Sequence, residues 1–497
     1  MSNLCKNFIF NNFTFTEPQN NKLKIANHSN IALKRNYITS CFGTSDLFEN
    51  LFDESTYQIL KEKYSDFFNS IIRIINYDYY LSSTYESHNR LFVLTNDLKL
   101  YEFIPSTNSF NYLNIQFDKF PIIIIENNTL FLHKTDNTSV LIEMNGIPVT
   151  VLNSCPVLSY EIYRSRLLFV NKNLPYTVFL TFSPVLYTLS SNINYYGKFN
   201  FNSEYGRILK LIYYKNKLYV FQQYKISCCS ALLNDSIYFN EAAALNNKII
   251  EGTIFHINDN IVFLTNSGLF CYDGNDLTKI FEDTTDKIIL SDNVKAVVYE
   301  NEYYLMCALK ENPNKNVLIK FNIENEQTEI FSDYSINDIY DLKLDNKYLL
   351  CVNASDTANP NIIIDKNKTS NKPKLIAFEK TNFDISNFKQ LQDIKILGEG
   401  EFFVEIKSDV QNYKFKTVAN VSVCNLNIKG NVFEFSIYST NNFRIDSLII
   451  NILEIGEQWK MKLKNYSIKL MTLNSKLSIW ILNLTTIILF QFQKKIF

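Results

Sequence analysis

The chain has 497 residues, with 49 Lys plus Arg against 50 Asp plus Glu, a balance that leaves no basic footprint for nucleic acid. Aromatics reach 15%, carried by 40 Phe and 31 Tyr, and with Val, Ile and Leu they suit pleated, half-buried surfaces. Its nine cysteines form no C-x-x-C pair and mostly sit inside apolar runs, so they read as small buried hydrophobes of a reducing compartment rather than as a disulfide framework.

Residues 1–45 are polar and broken by Asn pairs, with short alternating runs at Phe8–Phe10, Phe13–Phe15 and Ile31–Leu33, and are expected to form an extended arm. From 46 to 70 the pattern changes. Apolar residues at 47, 48, 51 and 52, then at 57, 60, 64, 67 and 68, recur at spacings of three and four, which predicts one or two amphipathic helices with Ser45 as N-cap.

Residues 71–385 restate one unit, an apolar run, a polar turn and a second apolar run with aromatics, at a period of roughly 40 to 45 residues. Lys217–Phe221, Asn260–Thr265, Glu302–Cys307 and Lys347–Cys351 are copies of one strand, and Ser267–Asp273, Asn316–Asn322 and Pro373–Phe378 read as their partners. Several short strands per copy predict an all-β chain built around a β-propeller of about seven blades, at 71–113, 114–154, 155–200, 201–250, 251–291, 292–336 and 337–385. Ring closure removes sheet edges that would otherwise pair with other chains. Phe263, Leu305 and Leu350, each in mid-run of the same strand of successive copies, are expected in the core. With 11 Gly and 10 Pro in the whole chain, the turns must be made mainly by Asn and Asp. Neither the WD nor the kelch signature is present.

Six alternating runs between 386 and 455, joined by turns such as Gly398–Gly400 and Lys429–Asn431, predict a compact C-terminal β-sandwich. Residues 456–497 form an apolar basic tail: seven lysines, no acid after Glu457, and a 13-residue apolar run at Ser478–Phe490. That run is short of the ~20 residues that span a bilayer. A docked helix or strand, a membrane-touching or oligomerising tail, and sequence from a shifted reading frame all remain open for it. The N-terminus carries no basic stretch followed by an apolar core, so no cleaved signal peptide is expected.

Candidate chemistry is sparse. The vicinal pair Cys228 and Cys229 could in principle be a redox or metal site, but reads as structural like the other thiols. The histidines His28, His88, His133 and His256 stand apart in sequence, which disfavours a zinc cluster. Asn258–Asn260 and Asp273–Asp276 resemble fragments of a calcium loop without its terminal Glu, and read as strand-connecting turns. Glu399 and Glu401 flank Gly400 on a hairpin and read as a solvated turn rather than an acid–base pair. The pairs Tyr195–Tyr196, Tyr213–Tyr214 and Tyr303–Tyr304 should each put one ring in and one out, the outer rings forming a contact surface. No G-x-S-x-G, P-loop or dinucleotide fingerprint occurs, so no catalytic, metal or cofactor residue is assigned and the chain is expected not to be an enzyme.

An arm containing Asn30–Tyr37, a propeller without WD signatures, and a sandwich reading Gly398–Asp409 then Lys429–Ser439 together resemble bacteriophage virion proteins of the tail-tubular or head-tail stabilisation type. The resemblance covers most of residues 20–455 and departs in the apolar tail and the low Gly content. It implies a non-enzymatic structural subunit of a phage tail or head-tail connector, without cofactors, oligomeric in assembly with other virion proteins, assembled in the host cytoplasm. Two further readings stand beside it: a cellular, cytoplasmic propeller scaffold for protein or peptide partners, and a glycan-binding or glycan-cleaving propeller. Membrane contact is disfavoured.

Overall fold

The computed structural model describes residues 5–455 apart from short stretches, the longest of them 182–194; the tail 456–497 lies outside the described residues. Seven antiparallel sheets follow one another along the chain. Blade one is Ile71–Leu81, Glu86–Thr95, Lys99–Ile104 and Ser109–Gln116, and each later blade repeats this outward meander. The first strands of the blades are Ile71–Leu81, Ile122–Glu126, Val157–Tyr163, Ile208–Tyr214, Phe255–Ile257, Lys295–Tyr299 and Ser335–Leu344. First strands touch between blades three and four, five and six, six and seven, and seven and one, which sets them around a common axis.

Seven apolar clusters each join one blade to the next, and the last joins blade seven back to blade one. The chain is therefore a seven-bladed β-propeller, its core divided among seven interfaces. Phe263, Leu305 and Leu350 are each 0% exposed. All three lie on second strands and face the preceding blade, at the interfaces four–five, five–six and six–seven. Truncation at such a site removes packing from two blades at once.

Blade seven takes only three strands from its own stretch of chain, Ser335–Leu344, Lys347–Ser355 and Asn361–Thr369. The fourth is Phe42–Asp46 from the N-terminal region, paired antiparallel with Asn361–Thr369 from Ile362↔Asp46 to Thr369↔Phe42. A strand from one end of the repeat array thus fastens the other. The chain then enters helix α1, Leu47–Leu51, and helix α2, Glu54–Ser70. Asp46, rather than the expected Ser45, caps α1 by accepting from Phe48 N at 2.8 Å, and Asp53 caps α2 from Thr56 N at 2.9 Å. The helices bury Leu47, Phe48, Leu60 and Phe68 between blades seven and one, where the Phe48 and Phe68 rings stack at 4.1 Å. Blades diverge away from the axis, and this pair fills the wedge.

The sandwich draws on both ends of the chain. One sheet runs Asn12–Thr14, Lys22–Ser29, Lys374–Phe378, Phe433–Ser439, Glu401–Ser408, Asn412–Val418. The facing sheet contains Ile31–Lys34, Tyr37–Ser40, Arg444–Glu454 and Lys389–Glu399, with Cys5–Phe10 also along Arg444–Glu454. Ile38, Phe402, Phe435 and Ile450 are buried in the core between them. The sequence reading put 1–45 in an arm and Pro373–Phe378 in blade seven; the structure puts the arm's strands into the sandwich and the seventh blade, and Lys374–Phe378 beside Phe433–Ser439. Ile31–Lys34 also pairs with Gln327–Phe331, the outer strand of blade six, so ring and sandwich share one continuous sheet and the outer edge of blade six is covered.

Candidate functional site at the propeller axis

The first strand of a blade has one hydrogen-bonding edge facing the axis, with no strand beside it. In blades one, three, four and seven this strand carries a β-bulge at the same place, between Ile71 and Arg73, Val157 and Ser159, Ile208 and Lys210, and Ile336 and Asp338. A bulge adds one residue and re-aims the side chain that follows. The residues that follow are Arg73, Ser159, Lys210 and Asp338, all polar, each after a buried Ile or Val one turn of the bulge earlier.

These side chains reach the next blade. Ser159 Oγ accepts from Leu211 N at 2.9 Å and Glu161 Oε2 from Tyr213 N at 3.1 Å, so blade three caps the axial edge of blade four. Glu161 Oε1 accepts from Ile162 N at 3.0 Å. Lys210 Nζ donates to Ile254 O at 2.6 Å and lies 4.0 Å from the Phe255 ring centre, tying blade four to blade five. Tyr340 Oη accepts from Ile74 N at 3.2 Å, tying blade seven to blade one. There Asp338 is held by Arg73 at 3.4 Å and by Lys295 of blade six at 2.6 Å, and the Arg73 guanidinium lies 4.0 Å from the Tyr340 ring centre. Lys295 also lies 5.7 Å from the ring of Phe120, which precedes blade two.

Between blades two and five the axis opens into a cavity of about 680 Å³. Ile122–Ile124, Leu158, Tyr160, Glu161, Lys210, Tyr213 and His256 contribute to its wall. Burial pushes the Lys210 ammonium down to about 8, opposed in part by the charge of Glu161. Its wall is polar and apolar in about equal measure, and the space has the scale of a ligand pocket.

The residues singled out from the sequence lie elsewhere or do other work. Cys228 and Cys229 fall on opposite faces of Lys225–Leu233, one toward blade five and the other toward blade three. Asn258 (φ 48°) turns the blade-five hairpin and donates to Glu324 Oε1 at 2.7 Å. Asp273 accepts from Asn275 N and Asp276 N, both at 2.8 Å, and these backbone bonds hold its carboxyl below the usual range. The Tyr214 hydroxyl joins the two turns by donating to the carbonyls of Asp259 and Asp273, not to their carboxylates. Glu399 and Glu401 are exposed on the sandwich hairpin, where Glu401 pairs with Lys416 at 2.7 Å. The four histidines belong to four different strands: His133 is buried against Ser139 Oγ, its pKa lowered to about 4 by burial, whereas the His256 ring lies tilted 5.2 Å from that of Tyr214.

The tyrosine pairs divide. Tyr213 is exposed and Tyr214 buried, as alternation requires, but Tyr303 and Tyr304 are both buried, which corrects the expectation of one ring outside. They lie on the second strand of blade six, where one face packs on blade five and the other on blade seven. The side chains of Tyr195 and Tyr196 lie outside the described residues. The axial set was missed, although the recurring start Ile71-Ile-Arg, Val157-Leu-Ser, Ile208-Leu-Lys and Ile336-Asn-Asp marks it in the sequence.

A second surface stands on the sandwich. Leu375, Tyr438, Phe403 and Lys416 lie side by side across four neighbouring strands of one sheet, on its outer face. Of the large apolar side chains exposed among the described residues, six fall between 403 and 438. Phe403 is 48% and Tyr438 37% exposed.

Neither a family model nor a curated protein matches the chain. Among solved structures it is similar to Sqt1 of Saccharomyces cerevisiae, at 11% identity and a TM-score of 0.37 over 56% of this chain and 81% of that one. It is likewise similar to BBS1N in complex with ARL6DN, at 9% identity and 0.36 over 56% and 87%, and to the computationally designed Ika8 protein, at 10% and 0.35 over 56% and 80%.

Proposed function

We propose that the protein is a non-enzymatic scaffold that binds a protein partner through the outer face of its sandwich. The row Leu375–Tyr438–Phe403 carries the reading: aromatic and aliphatic side chains in register on a flat, rigid sheet, rimmed by Lys416, Lys414 and Glu405, have the composition of an interface core with a charged rim. A monomer gains nothing by leaving such a row in water. The test compares proteins that co-purify with the unaltered chain and with a Phe403→Glu, Tyr438→Glu variant. Both sites are exposed, so thermal stability should stay the same while a specific partner is lost. A partner retained in full by the double variant overturns the reading.

A narrower form of the same reading is the virion subunit of a phage tail or connector, in which the row would be a contact between neighbouring subunits. Its test is assembly: concentration-dependent self-association, abolished by the same two substitutions and altered by removing residues 457–497, supports it. A chain that stays monomeric at high concentration with and without those residues overturns it.

A further inference from the structure

We propose that the axial cavity bounded by blades two to five is a binding pocket for a carboxylate carried on an apolar body, seated on Lys210. Charge complementarity carries the inference. Two charged side chains, Lys210 and Glu161, contribute to the wall. Both oxygens of Glu161 already accept backbone N–H groups, from Ile162 and Tyr213. Lys210 makes its hydrogen bond to a neutral carbonyl, Ile254 O, and no carboxylate among the described residues stands within ion-pair distance of it. A half-buried ammonium whose acid on the same wall, Glu161, stands beyond ion-pair distance is an arrangement that a second anion relieves. The rest of the wall, Ile122–Ile124 and Leu158 with the rings of Tyr160 and Tyr213, suits apolar atoms behind the acid group. The titratable groups on the same wall are Glu161 from blade three, His256 from blade five and Tyr213 from its own strand, and of these the charge of Glu161 acts on the ammonium.

The contrast across the axis sharpens the assignment. Lys295 and Arg73 occupy related positions in blades six and one, and both find Asp338. Lys210, by contrast, makes no ion pair among the described residues, and the charge of Glu161 reaches it only from beyond ion-pair distance. The ligand chemistry, a carboxylate flanked by apolar atoms, has two sources: a free organic acid, or a Glu side chain between apolar residues in a peptide.

The test follows the reaction of the Lys210 amine with an acylating reagent by mass spectrometry across pH, on the full chain, with three probes: hexanoate, the blocked tripeptide N-acetyl-Leu-Glu-Leu-amide, and hexanol as the uncharged control. A bound carboxylate protects Lys210 and raises the pH of half-labelling by about one unit or more. Protection by hexanoate alone identifies a free acid, and protection by the peptide alone identifies a partner segment. Equal protection by hexanol, or none by either acid up to its solubility, overturns the proposal. Lys210→Met should abolish hexanoate binding read by titration calorimetry, while binding undiminished in that variant also overturns it. The labelling arm uses the unaltered chain and so decides even where the variant does not fold. A Phe403→Glu, Tyr438→Glu protein should keep the protection, which separates this pocket from the sandwich surface.

Discussion

Blades six, seven and one meet at the axis through ions, whereas blades three, four and five meet around a hollow, although the same bulge opens the first strand in four of these six blades. The difference is one residue type at one position. Where the bulge delivers Asp338 between Arg73 and Lys295, opposite charges draw three strands together. Where it delivers Ser159 and Lys210, the side chains hydrogen-bond to backbone groups of the next blade, Lys210 also lying against the Phe255 ring, and the middle stays open. A repeat can therefore keep its backbone similar around a ring while the side chains at the axis differ between a sector closed by ion pairs and one left open.

The strongest way to break the sealed sector is to remove its fastening. Deleting residues 1–46 takes away the fourth strand of blade seven and strands from both sandwich sheets, and should abolish cooperative unfolding followed by near-ultraviolet circular dichroism; a sharp transition retained by the truncated chain would refute the closure. Next come the interfaces common to both sectors. Phe263→Ala, Leu305→Ala and Leu350→Ala should each cost ~2–5 kcal/mol in denaturant melts, and losses below about 1 kcal/mol at all three would contradict the shared register.

Asp338→Ala should cost about 2 kcal/mol, because it leaves Arg73 and the half-exposed Lys295 without their acid, and the double variant with Arg73→Met should recover part of that loss. If Asp338→Ala alone were neutral, charge would not be what seals the sector. The smallest effect belongs to His133 in blade two. Burial favours its neutral ring, so its folded pKa of about 4 lies below the unfolded value near 6.5, and the unfolded chain binds more protons as pH falls between the two. Stability present above pH 6.5 should drop by about 2 kcal/mol by pH 5, and His133→Gln should flatten that dependence. An unchanged slope would place the acid sensitivity elsewhere.

The ring was readable from sequence because each second strand is a continuous apolar run with partners close by in the chain. Asn216 and Asn301 confirm in part that Asn makes the tight turns, yet their left-handed neighbours are Lys215 and Glu300, and in blade three the same two-residue turn is Arg164-Ser165. Geometry imposed by the strands overrides local preference there. Alternation failed at Tyr303 and Tyr304 because period two reports exposure only when one face of a sheet meets water, and an interior strand of a blade has two dry faces. The axial residues were hidden for a related reason: a bulge shifts the parity of the strand, so Arg73 and Lys210 do not fall where simple alternation places them. The N-terminal strands were invisible as sandwich and blade components since their partners, from Gln327–Phe331 to Arg444–Glu454, are hundreds of residues away.

That fastening also sets a schedule on the ribosome. Phe42–Asp46 is synthesised before any blade, yet its partner Asn361–Thr369 appears about 300 residues later, roughly 15–60 s at ~5–20 residues per second. Throughout that interval the nascent ring is a growing stack with an open seam, and the Phe42–Asp46 strand must be kept from pairing with the wrong edge until the last blade emerges from the exit tunnel.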